Sequence, residues 1–208
     1  MFDFIADLDD YFCEKYANYD KLCVLEGYRM PKMQTSEVRE DGRTYAYTLP
    51  ANTMRLALQE NKTSLLAQVK KQAFDKTFSF SFYPVGFFGM LKNKYSRYGF
   101  VRWLKTMLSR YSVTEAEAGE ALTIDSEIWQ GICKGKYLPT KNTLLSLAVT
   151  ANMTTEDAGN LLLVCGYDWD YAQIKDVVVT YLLNNKVFNP EMVRAALTEY
   201  KVENLFIK

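Results

Sequence analysis

The stretch "SEIWQGICKGKYLPTKNTLLSLAV", residues 126–149, reads as one helix that stops at Gly135-Lys136 and a second that restarts at Pro139-Thr140. Glycine tolerates the left-handed conformation that closes a helix, proline interrupts the helical hydrogen bonds, and threonine caps the next helix with its side-chain oxygen. Within the first helix Trp129 and Ile132 point one way, with Ile128 beside them. Ser126, Gln130 and Lys134 are spaced by four and share the opposite face. The spacing therefore predicts a buried Trp129 and Ile132 beneath a polar outer stripe. Whether that stripe is built to lie in a DNA groove is the question the rest of the chain bears on.

Working outward, "FVRWLKTMLSRY" places Phe100, Leu104 and Leu108 on one stripe, with Trp103 and Met107 beside it. "TEAEAGEAL" follows, with Thr114 and Glu117 spaced as a capping box. Ala116, Ala118 and Gly119 make that helix narrow, so another helix can approach closely. Asp125 is placed to cap the helix from Ser126, Thr140 caps "KNTLLSLAVTANM", and Thr154 starts "TEDAGNLLLVCGY". The expectation is five short helices in succession.

In that order the run resembles the lambda-repressor-like helix-turn-helix family, the Cro/XRE type, over roughly residues 99–167. Gly135-Lys136 stands at the family's helix-closing position, Pro139-Thr140 at its restart, and Thr143-Leu144 to Ala148 in its "TL..LA" helix. The resemblance implies a DNA-binding transcriptional regulator of bacterial or phage type. Such domains bind double-stranded DNA as dimers, with the third helix in the major groove. On it the base-reading candidates are Ser126, Glu127 and Gln130, since a glutamine amide pairs bidentately with adenine. The phosphate candidates are Arg97, Arg102, Lys134, Lys136 and Lys141. The sequence also departs from the family. Glu115 stands where a phosphate-binding Gln commonly opens the second helix, and Gly131 has no side chain to reach a base. From Ser112 to Ile128 there are five acids and no base. Acids at helix starts favour the helix dipole but repel phosphates. The alternative is a non-enzymatic protein-interaction module on the same scaffold.

Charge is unevenly distributed. The chain has 25 basic and 25 acidic residues. Between Lys76 and Thr114, however, stand Lys76, Lys92, Lys94, Arg97, Arg102, Lys105 and Arg110 without one acid, interleaved with aromatics. Such a segment suits a nucleic-acid backbone, an anionic membrane surface, or simply a solvated helix face.

The whole is expected to be mainly α, in three parts. Residues 1–90 read as a small α+β unit. It has a helix over 3–18, a hairpin turning at Asp41-Gly42 into the strand "TYAYTL", a helix beginning at Asn52 or Thr53, and the alternating strand "TFSFSF". Residues 91–170 hold the helix-turn-helix domain. Residues 171–208 add two helices, one with Ile174, Val177, Val178, Tyr181 and Leu182 on a wide apolar face, the next capped by Asn189 with Pro190 at its first position. That extension reads as extra core or as a homodimer interface.

Histidine is absent from the sequence, which removes His-assisted nucleophiles, His bases and His metal ligands. No glycine-rich phosphate loop occurs. No enzyme activity, cofactor or metal is expected. The four cysteines, Cys13, Cys23, Cys133 and Cys165, form no CxxC pair and read as reduced thiols of a cytoplasmic protein. No run of 18 apolar residues suggests a membrane span, and the acid-rich start "MFDFIADLDD" has the wrong sign for a secretory signal, so no membrane partner is expected.

Overall fold

The computed structural model describes residues 4–17, 34–38, 43–48, 66–67, 70–71, 82–96, 99–203, 205 and 207. It is mainly helical. The helices are α1 (Phe4–Lys15), α2 (Phe87–Tyr95), α3 (Phe100–Arg110), α4 (Glu115–Ala121), α5 (Ser126–Cys133), α6 (Lys141–Thr150), α7 (Thr155–Val164), α8 (Ile174–Asn184) and α9 (Pro190–Glu199). Two strands, β1 (Gln34–Val38) and β2 (Thr44–Thr48), pair antiparallel. The expected strand over 77–82, apart from Phe82, and most of the helix expected from Asn52 lie outside the described residues.

Each start between α4 and α7 follows from a local cap. Thr114 and Glu117 form the full capping box. Asp125 accepts from the backbone N–H groups of Glu127 and Ile128, Thr140 from Thr143, and Thr154 from Asp157. Asn189 caps α9, with Pro190 at its first position.

The ends share a rule that the sequence declares only in part. Ser112, Gly135, Asn152, Gly166, Lys186 and Lys201 all have positive φ. The residue after each sends its N–H back to a carbonyl five residues earlier: Val113 to Leu108, Lys136 to Gly131, Met153 to Ala148, Tyr167 to Leu162, Val187 to Leu182 and Val202 to Leu197. This is the Schellman closure, in which an apolar residue after the left-handed one folds back onto the helix. Five of the six following residues are apolar or aromatic and join the core or pack against it. At α5 the residue is Lys136, and it is exposed.

The core is organised around α6 and α8. Every residue from Asn142 to Val149 is buried, as is every residue from Ile174 to Leu183. Thus α8 is no added surface layer: it packs on α1, α6, α7 and α9. Of the two readings of the C-terminal extension, core is the one its burial matches. The first helix belongs to this end of the molecule too. Leu8, Phe12 and Cys13 are buried, Tyr181 Oη donates to Asp7 Oδ2 at 2.8 Å, and Tyr200 Oη donates to Asp9 Oδ1 at 2.7 Å. Ile207 forms an isolated antiparallel bridge with Leu122, the residue that follows α4.

In the hairpin Val38 stands opposite Thr44. The turn expected at Asp41-Gly42 falls in the connection between these strands. Residues 39–42 themselves lie outside the described residues.

A clamp joins α3 to α7. Arg110 is paired with Asp157, and Tyr111 Oη donates to Asp157 Oδ2 at 2.7 Å while accepting from the Thr154 N–H at 2.8 Å. Burial alone would raise the Asp157 carboxyl, but the Tyr111 hydroxyl and the Arg110 guanidinium outweigh it and hold it below its ordinary value. A depressed carboxyl stabilises the fold fully above the unfolded-state value of about 3.9, and that contribution is lost as pH falls through the lower native value. Urea midpoints measured from about pH 6 down to about pH 2 should therefore fall less steeply for Asp157→Asn than for the parent. Parallel profiles would show the clamp to be electrostatically inert.

Candidate functional site: the cleft between α4 and α5

The two helices meet at a glycine. A Cβ built on Gly119 would lie 2.5 Å from Trp129 Cδ1, so the indole occupies the space that any side chain there would take. Trp129 is 5% exposed and Ile132 is 0% exposed, as their spacing predicts. The indole Nε1 donates to the Glu115 carbonyl at 2.7 Å, which fixes α5 against the first turn of α4.

Outside this contact the helices diverge around an open cavity of about 620 Å³. Its apolar part comes from Ala116, Leu122, Ile124 and Trp129. Its polar wall is the stripe Ser126, Gln130 and Lys134, facing Glu115 and Glu120 across the cleft. The volume falls in the range of small-molecule or side-chain binding sites. Cys133 also lines it, but burial pushes that thiol up to about 12, so it is no nucleophile at neutral pH. Among the described residues no group of three His, Cys, Asp or Glu side chains could hold a metal ion. What the cleft offers is apolar contact, the carboxylates of Glu115 and Glu120 on one side and the Lys134 ammonium on the other.

The base-reading candidates divide. Ser126, Glu127 and Gln130 are all exposed on α5. Ser126 and Gln130 line the cleft, while Glu127 lies in the first turn beside the capping carboxylate of Asp125. Gly131 is covered: a Cβ there would lie 2.4 Å from the Tyr137 ring, so that aromatic takes the place of a base-reading side chain.

The phosphate candidates divide as well. Arg102, Lys134 and Lys136 are exposed. Arg97 lies outside the described residues. Lys141 is the correction. Its side chain is 13% exposed and its ammonium is paired with the fully buried carboxylate of Asp176 on α8. A cation committed to an internal carboxylate is not available to a phosphate. Two further bases of the acid-free segment are taken by acids outside it: Lys105 by Glu115 at 3.1 Å, and Arg110 by Asp157. The local positive charge is correspondingly smaller than a count along the chain suggests.

One neighbour of the site has no local signal in the sequence. Pro84 bridges Tyr137, and the Val85 N–H donates to the Lys136 carbonyl at 2.7 Å. Residues 82–86 thus run along the loop that follows α5, and they deliver α2 to its C-terminal end. A Cβ on Gly135 would meet Val101 Cγ2 at 3.1 Å and Asn93 Cβ at 3.4 Å, which shows how closely α2 and α3 approach there.

No family model matches the chain, and no curated protein or solved structure matches it either.

Proposed function

We propose that this chain is a non-enzymatic protein-interaction module on a repressor-like helix-turn-helix scaffold, with the α4–α5 cleft as its binding surface. Helices α3 to α7 are the five helices of that scaffold; their order, their capping residues and the closure of α5 at Gly135 support the assignment. The small α+β unit before them is a separate expectation, supported by α1 and the β1–β2 ladder. The observation that carries the functional reading is the character of the cleft. Its stripe of Ser126, Gln130 and Lys134 faces Glu120 and the Lys105-paired Glu115 over an apolar floor. Asp125 and Glu127 are exposed at the start of α5 as well. Duplex DNA carries a negative charge for about every 1.7 Å of its length. An apolar cleft with Glu120, Asp125 and Glu127 exposed at or beside its rim suits a protein side chain better than that polyanion.

The second reading is a DNA-binding regulator, favoured by one specific observation: Arg102, Lys134 and Lys136 are exposed together with Ser126 and Gln130. The two readings part on one titration. Random-sequence duplex DNA is added at about 50 mM and about 200 mM salt, and binding is followed by anisotropy. The expected result is no binding tighter than about millimolar at the lower salt, unchanged in Glu127→Gln. Micromolar affinity that falls steeply with salt, with the slope reduced by about one in Arg102→Ala or Lys136→Ala, would overturn the interaction reading. In that case Glu127→Gln should tighten binding, because it removes a negative charge near the phosphates.

A further inference from the structure

Helix α2 turns its apolar side outward. None of its residues is buried. Phe87 is 65% exposed, Phe88 84% and Tyr95 69%, and Tyr83 just before the helix is 72% exposed. At 3.6 residues per turn, Phe87, Leu91, Tyr95 and Phe88 fall side by side on one arc. Lys94 stands at one margin of that arc and Lys92 at the other, both exposed. The opposite arc, Gly89, Met90 and Asn93, faces Val85 and the end of α5. An exposed aromatic strip on a folded chain marks a docking surface. The paired lysines give this one a sign: it fits an apolar surface rimmed by carboxylates.

The same chain carries such a surface. The α4–α5 cleft has an apolar floor at Ala116, Leu122, Ile124 and Trp129, with Glu120 exposed on its α4 side and Lys134 on its α5 side. We infer that the partner of the cleft is the aromatic face of α2 on a second copy of this chain, with the Phe88 ring against the apolar floor and Lys92 toward Glu120 on its α4 side. This rests on the interaction reading of the cleft and names its occupant. The sequence carries both halves of the match in neighbouring segments, no acid from 76 to 114 and no base from 112 to 128, in a chain of zero net charge. A contact between two different surfaces grows into open chains unless the exchange is reciprocal. In either case each molecule presents one donor face and one acceptor cleft.

That division supplies the test. One variant disables the α2 face, Phe88→Ser with Lys92→Glu. The other closes the cleft, Ala116→Arg with Glu120→Lys. All four positions are exposed, and unchanged circular dichroism spectra and melting curves verify the fold of both. Sedimentation velocity should find the parent associating, with the complex weakened by salt. Each variant alone should lose association by about thirtyfold or more, as removal of a central contact does. An equimolar mixture should recover a complex of two chains and no larger, since the mixture holds one intact face and one intact cleft. A monomeric parent, or a mixture that stays monomeric, would overturn the inference. If that monomeric parent also ignores random duplex DNA, the interaction reading survives without this occupant; if it binds the duplex steeply with salt, both fall. Vesicles containing phosphatidylserine provide the last arm. Capture of the parent and the cleft variant by those vesicles, but not of the α2 variant, would overturn the inference and assign the aromatic face to a lipid surface.

Discussion

Replacing Trp129 with alanine is expected to destabilise the protein by about 3–5 kcal/mol. The indole is 5% exposed, fills the space beside Gly119 and donates to the Glu115 carbonyl at 2.7 Å. Alanine removes the ring that packs on Gly119 between α4 and α5 and leaves a cavity that two capped helices cannot readily close. It also removes the one indole donor that fixes their relative position. Trp129→Phe separates the two contributions. The phenyl ring retains most of the apolar contact but not the N–H, and the loss of one hydrogen bond costs about 0.5–1.5 kcal/mol. Urea unfolding followed by far-ultraviolet circular dichroism measures both, independently of the two other tryptophans. A loss below about 1 kcal/mol for Trp129→Ala would mean that the ring is not a core residue, and the reading of α5 would fail at its centre.

The features that could be read in advance are those decided locally. A cap acts within three residues and a glycine closure within five, so the limits of α4, α5, α6, α7 and α9 follow from Thr114, Asp125, Gly135, Thr140, Thr154 and Asn189 themselves. Narrow residues at Ala116, Ala118 and Gly119 likewise announced a close helix approach before its partner was known. The features that could not be read are decided by distant partners. Lys141 looks like any surface lysine at a helix start. It is internal because Asp176, 35 residues on, is buried opposite it. Nothing around Phe87 and Phe88 in the sequence says that they face outward. That depends on residues 82–86 joining the loop at Lys136 and Tyr137, some fifty positions later. The candidate site divides in the same way: Trp129, Ser126 and Gln130 were legible from helical spacing, whereas the cleft that all three line depends on how α4 diverges from α5.

Lys141→Met is expected to cost about 3–5 kcal/mol, the effect of removing one member of a buried ion pair. The Asp176 side chain is 0% exposed; its Oδ2 accepts from the Lys141 ammonium and from the Asp170 N–H at 2.6 Å, while Oδ1 has no hydrogen-bond partner among the described residues. Burial pushes this carboxyl above its ordinary value, and Lys141 pulls it back. Without the ammonium the carboxylate is left buried with one backbone donor, so its native-state affinity for a proton rises further. A carboxyl whose native value lies above its unfolded value contributes stability that is fully present below the unfolded value and is lost as pH rises through the native one. The damage from Lys141→Met should therefore be greatest at about pH 8 and smaller at about pH 5, the reverse of the acid sensitivity expected from Asp157. Asp176→Asn in the same chain removes the stranded charge, and the double variant should recover much of the lost stability and lose the pH dependence. Urea midpoints of the parent, the single variants and the double variant at the two pH values close the cycle. A cost below about 1 kcal/mol for Lys141→Met, equal at both pH values, would mean that the lysine is a free surface cation and would return it to the phosphate-binding candidates.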